Sequence, residues 1–356
     1  MTDDEGPDAP AGAERPPAEA LLPDDALEQL EPILLGGRPE LTRREVSERS
    51  GVPLPFAQQL WRLMGFAEVG DDVPAFTEAD VRSLQLTRQL IDSGILNPTR
   101  QDGLVRTWGR SFARLAEWQA ELLADIALES EEPMTTLFEL AEDVVPMIDE
   151  LQAYTWRRHV HAVASRMLTV TEAGADPSKQ AVCFVDIAHY TRQSRTLSEE
   201  ELVAWLEGFE SAVLDVVVRH GGRIIKNIGD ELLITCDSPT AAAEIALEMV
   251  ARGADDGDDF PDVHAGVAYG DVVTRLGDVY GPVVNIASRL TSAARPNSVL
   301  VDRGMYEAVT GRPDHDHGGA GDDHGGEGAA YRLRRIPRLR VKGYSRLHVW
   351  RLLPRN

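Results

Sequence analysis

The sequence predicts an α+β protein in two parts, an all-α amino-terminal half followed by an α/β sandwich built on a largely antiparallel sheet. Three observations predict it. Over residues 26–167 apolar side chains recur at three- and four-residue spacing, as in Leu137, Leu140, Val144, Met147, Ile148 and Leu151, which is the helical period. Beyond residue 178 short β-rich runs mix with amphipathic helices in the order β, α, β-hairpin, α, β, α, β, α and a final hairpin, without the strict alternation of a parallel sheet. At the centre of this second part, residues 223–236 read RIIKNIGDELLITC, two β-rich runs broken at Gly229-Asp230, a hairpin with an acid at its tip.

A chain of 356 residues has room for two domains, and 43% hydrophobic content is enough for ordinary cores. The net charge of −23 disfavours nonspecific nucleic-acid binding, so a nucleotide ligand needs a local basic patch. The only cysteines, Cys183 and Cys236, sit in apolar strand-like runs and read as buried reduced thiols. No apolar run approaches the roughly 20 residues that span a bilayer, and the amino terminus is acidic, unlike a secretion signal. A cytoplasmic location is expected.

In order, residues 1–25 are rich in Asp, Glu, Pro and Ala and read as a disordered acidic tail. Residues 26–153 form the all-helical domain. Within it, residues 41–66 give a short helix, a turn at Ser50-Gly51 and a second helix, an outline similar to a helix-turn-helix. The second helix offers Phe56, Ala57, Gln58, Gln59, Leu60 and Trp61 with a single Arg62, so it reads as a packed pair used in protein contact and not as a DNA reader. Residues 154–177 are a basic helical connector. There His159 and His161 lie beside Arg157 and Arg158, and neighbouring cations favour the neutral imidazole, which makes both candidates for titration near neutral pH.

The second domain, residues 178–356, opens with a strand over 180–185 that delivers Asp186 at its carboxyl end, a common place for ligand-binding groups. Ser198 reads as an N-cap with Glu201 as capping-box partner, opening a helix with Leu202, Trp205, Leu206, Phe209 and Val213 on its apolar face. In the hairpin, period two places Lys226, Ile228 and Asp230 on one side and Ile225 and Asn227 on the other. A helix over 240–252, a strand over 263–269, a strand over 298–302 and a helix over 305–309 follow. Residues 312–329, with His315, His317 and His324 among glycines and acids, read as a flexible insertion, since Gly-rich chain does not preorganise metal ligands.

Four blocks then carry a resemblance. FVDIAHYT (184–191), IIKNIGDEL (224–232), DVYGPVVNIASRL (278–290) and RVKGYS (340–345) resemble the signature blocks of class III nucleotidyl cyclase catalytic domains, over about residues 178–352. The resemblance implies a ferredoxin-like α/β sandwich and two Mg2+ or Mn2+ ions per site, held by Asp186, Asp230 and the main-chain carbonyl of Ile187. It further implies that Lys226 and Asp278 select the purine, that Asn285 and Arg289 serve the transition state, and that Lys342 contacts the terminal phosphates. A lysine donor and a carboxylate acceptor suit adenine, so the implied reaction is ATP to 3′,5′-cyclic AMP and pyrophosphate.

In this family the metal aspartates and the purine residues of one site come from different subunits, which implies a head-to-tail homodimer with an inactive monomer. The helical half is similar to the regulatory half of actinobacterial soluble cyclases of the pH-sensing type. That implies autoinhibition responsive to pH or lipid, with a fatty acid or other small ligand in the amino-terminal domain. Two alternatives stay open: a guanylate cyclase, opposed by Lys226 and Asp278, and a catalytically retired nucleotide-sensing DNA-binding regulator, opposed by the full set of site residues.

Overall fold

The computed structural model describes residues 26–96, 98–172, 176, 178–314, 331–337, 339 and 347–354. The tail expected over residues 1–25, the histidines of the 312–329 stretch and Lys342 lie outside the described residues. The chain divides into two compact units, Met1–Ala164 and Ser165–Asn356.

The first unit is helical, with α1 (Ala26–Leu34), α2 (Arg43–Ser50), α3 (Leu54–Met64), α4 (Glu78–Asp92), α5 (Pro98–Leu128) and most of α6 (Pro133–Glu172). Helix α2 starts at a Thr42–Glu45 capping box and stops at Gly51, whose φ of 69° is open to glycine without strain. Helix α3 buries Ala57, Leu60 and Trp61 against Val46, Phe76, Leu84 and Val105. Trp61 packs on Phe76 with ring centroids 4.7 Å apart and the planes tilted by 34°, and lies under the Arg43 guanidinium at 5.7 Å. The side chains of the second helix that face inward are thus core, as its composition predicts. Residues 154–172 of the expected connector are the carboxyl-terminal part of α6, a helix of 40 residues along which Arg157, Arg158, His159 and His161 are exposed. No helix among the described residues is long and apolar enough to cross a membrane.

The second unit contains β1 (Lys179–Ile187), α7 (Tyr190–Gln193), α8 (Glu199–Arg219), β2 (Arg223–Ile228), β3 (Glu231–Cys236), α9 (Pro239–Gly253), β4 (Val263–Asp271), β5 (Val273–Arg275), β6 (Asp278–Tyr280), α10 (Pro282–Ala293), β7 (Ser298–Asp302), α11 (Arg303–Thr310), β8 (Tyr331–Arg335) and β9 (Val349–Pro354). The main sheet runs β2-β3-β1-β4-β7-β9-β8, and β5 pairs with β6 separately. Its core, β1-α8-β2-β3-α9-β4 with spatial order β2-β3-β1-β4, is the ferredoxin-like arrangement. Only β4 and β7 pair in parallel among the described strands, which matches the largely antiparallel sheet.

Strand alternation divides two cores. Ala181, Cys183, Val185 and Ile187 of β1 face Phe209, Val213 and Val217 of α8 and Ile245 and Met249 of α9. Val182 and Phe184 face the opposite side with Leu233, Ala268, Val283 and Ala287. Helix α8 has the Ser198–Glu201 capping box read from the sequence. Cys183 and Cys236 are free and buried, and burial pushes both thiols well above their ordinary value, so they act as small apolar groups.

Helix α10 lies unusually close to the sheet. A Cβ on Gly266 of β4 would come to 2.3 Å from the Thr291 amide nitrogen and 2.4 Å from the Ala287 carbonyl oxygen, so only glycine fits. The buried Thr291 hydroxyl donates at 3.0 Å to Ala287 O within α10 and lies 3.3 Å from the Phe184 carbonyl of β1. These contacts set the height of α10 over the sheet.

Candidate active site

Strand β1 runs two residues past the expected end, so Asp186 lies inside the ladder and not at its exit. It pairs with Glu231 of β3 on one side and His264 of β4 on the other. Period two puts Asp186 on the face of Val182 and Phe184. Asp230 sits in the β2–β3 turn after Gly229, whose φ is 68°, close enough to Asp186 for the two carboxyl groups to interact. Burial, and after it the Asp186 charge, pushes Asp230 above its ordinary value, against its own main-chain hydrogen bond and His264. Burial and the same two aspartates push Glu231 up to about 7. The concentration of acids is what a divalent cation would relieve. The Ile187 side chain is buried in the core, so only its main-chain carbonyl is available as a ligand. Among the described residues no three His, Cys, Asp or Glu side chains converge as a ready metal cage. Two carboxylates meet the demand of Mg2+, which takes one or two and completes its shell with water and phosphate oxygens.

Lys226 and Asp278 meet as well, Nζ to Oδ2 at 2.6 Å. A β-bulge makes this possible. Ile224 pairs with Ile234 but Lys226 with Leu233, so one extra residue, Ile225, is inserted in β2. After the bulge Lys226 shares the face of Leu233 and Asp186, whereas unbroken alternation from Ile224 would turn it to the α8 side. The one-sided set Lys226, Ile228 and Asp230 was read from simple alternation; the bulge is a break before that set begins. Partial burial favours protonation of Asp278, but hydrogen bonds from Lys226, the Val279 amide and Tyr280 hold it below its ordinary value.

Asn285 and Arg289 lie on the exposed side of α10, opposite the buried Val283, Ala287 and Leu290. Neither side chain makes a hydrogen bond or ion pair with a described residue. The structure therefore brings together Asp186 with Asp230, Lys226 with Asp278, and Asn285 with Arg289. His159 and His161 belong to the first unit, and Lys342 is outside the described residues. Glu231 and His264 went unnoticed in the sequence. The acid beside Asp230 was a signal for the first, while the second shows only once β4 is aligned against β1.

Residues 175–322 match the family described as Adenylate and Guanylate cyclase catalytic domain. An adenylate cyclase of Streptomyces coelicolor is 38% identical over 289 residues, 79% of this chain and 74% of the relative. An adenylate cyclase of Glutamicibacter nicotianae is 36% identical over 298 residues, 78% of this chain and 74% of the relative. A pH-sensitive adenylate cyclase of Mycobacterium tuberculosis (strain CDC 1551 / Oshkosh) is 28% identical over 319 residues, 84% of this chain and 79% of the relative. Each match is longer than the second unit, so it takes in part of the helical half. With the ferredoxin-like core, the paired aspartates and relatives of this closeness together, the chain belongs to the class III adenylate and guanylate cyclase family.

Proposed function

We propose that the protein is an adenylate cyclase that converts ATP to 3′,5′-cyclic AMP and pyrophosphate at the interface of a head-to-tail homodimer. The observation that carries the choice of purine is the Lys226–Asp278 pair, a donor and an acceptor held 2.6 Å apart. Adenine presents an acceptor at N1 beside a donor amine, the complement of such a pair, whereas guanine presents the reverse. The names of the relatives support the same reading.

Asp186, Asp230 and the Ile187 carbonyl would hold two Mg2+ or Mn2+ ions, which supply charge neutralisation of the triphosphate and a more acidic ribose 3′-hydroxyl. Asn285 orients the ribose through its amide, and Arg289 stabilises charge growing on the α-phosphoryl oxygens. Lys342 takes the terminal phosphates. The 3′-oxygen forms its bond to the α-phosphorus as the bond to the departing pyrophosphate breaks. The Asn285 and Arg289 side chains stand exposed with no hydrogen-bond or ion-pair partner among the described residues, ready for a second copy that brings its aspartates. Exposed Phe112, Trp118 and Leu122 on α5, with Leu151, Tyr154 and Trp156 on α6, are apolar surface that the second copy would cover.

The helical half is autoinhibitory in this reading and answers to pH or to a bound lipid. A pH-sensitive relative and the exposed His159 and His161 support it. The test is product formation by the full chain with Mn2+, supplied with ATP or GTP. Cyclic AMP should predominate by at least ten-fold in kcat/KM, since the wrong purine leaves both recognition groups mismatched. Equal use of GTP would overturn the assignment of Lys226 and Asp278, and no product from either would overturn the enzyme. In the same assay across acid to mildly basic pH, an unchanged profile after replacing His159 and His161 with Asn removes them as the trigger.

A further inference from the structure

Three titratable side chains stand in one row across three strands: Glu231 on β3, Asp186 on β1 and His264 on β4. The ladder pairs Asp186 directly with both, and cross-strand neighbours on one face are close enough to interact. His264 Nε2 comes to 3.3 Å from Asp186 Oδ2, with the ring only 15% exposed. Its other nitrogen, Nδ1, is buried with no hydrogen-bond partner among the described residues. A carboxylate only accepts, so it is the Nε2–H of His264 that can serve Asp186 at this contact. On the opposite flank Glu231 is the cross-strand neighbour, and among the described residues the close side-chain contact that Asp186 makes across the ladder is the one to His264. The imidazole is therefore the group that draws the Asp186 carboxyl to one side of its strand.

We propose that His264 is a positioning residue for the metal-binding carboxylates: it holds Asp186 in the orientation in which it meets Asp230, so the pair is set before a cation arrives. The inference rests on the cyclase reading of the site. Groups that orient a metal ligand from behind commonly change metal affinity by about 10–100-fold when removed, without touching substrate.

The test uses the full chain and Mn2+ alone, with bound metal read from loss of the free-ion electron paramagnetic resonance signal and no nucleotide present. His264→Leu, which fills the space without a donor, should weaken Mn2+ binding about ten-fold, and His264→Gln, whose amide offers an N–H at similar reach, should restore most of it. In steady state the leucine variant should raise the KM for Mn2+ by about the same factor and leave kcat at saturating metal near the wild-type value. Thermal melting of both variants separates this from loss of fold. If the leucine variant is folded and binds Mn2+ like the wild type, or if glutamine is no better than leucine, the proposal is overturned while the cyclase reading stands. If the wild-type chain neither binds Mn2+ nor turns over ATP, the cyclase reading fails and this proposal with it.

Discussion

Arg289→Ala should lower kcat by about 10²–10³-fold and leave the melting temperature unchanged. Arg289 is exposed on α10 and makes no ion pair with a described residue, so its removal leaves no buried group unsatisfied. What is lost is charge stabilisation on the α-phosphoryl group, a contribution made only as the transition state forms. Asp230→Ala should be equally inactive for a separate reason, the loss of a metal ligand. Mixing the two inactive chains then gives a sharp result. Random pairing makes half the dimers mixed, each with one intact site of two, so about a quarter of the wild-type activity should return. Product formation in a mixture equilibrated before assay measures this, and a mixture as silent as its components would rule out a site shared head to tail.

Gly266→Ala should reduce both stability and turnover. The added methyl would press on the Thr291 amide and the Ala287 carbonyl at 2.3 and 2.4 Å, main-chain atoms that yield only if α10 moves as a body. Overpacking of this kind costs about 1–3 kcal/mol. Moving α10 also moves Asn285 and Arg289, and a misplacement near 1 Å costs about 100-fold in rate. The expected result is a lower melting temperature with kcat down by about two orders of magnitude, while KM for ATP changes less because Lys226 and Asp278 are on other elements. A variant with wild-type kcat would show that the height of α10 is not what sets the chemistry.

Much of the fold was legible because it is written in local chemistry. Ser198 and Glu201 announce the start of α8, Gly229-Asp230 the hairpin turn, and the run 298–302 is a strand to the residue. Asp186, Asp230, Asn285 and Arg289 stand out in the sequence as candidates through the blocks that carry them. What escaped depends on the partner and not on the segment. Gly266 looks like any small strand residue until α10 is laid over it, and His264 becomes a neighbour of Asp186 only through antiparallel pairing. Helix α6 runs unbroken through Pro146, along the apolar period of Leu140, Val144, Met147 and Leu151 that the sequence shows on both sides of it.

The bulge at Ile225 also has an evolutionary consequence. Side chains along β2 are assigned to faces by parity, and the inserted residue changes odd to even just before Lys226. Deleting Ile225 would remove the bulge and restore a regular ladder with the lysine still opposite Leu233, whereas straightening the strand at its present length would swing the ammonium into the apolar layer beneath α8. Chains that retain the lysine should therefore either keep the extra residue and the bulge together or lose both, a constraint on insertions and deletions that is invisible when positions are compared one at a time.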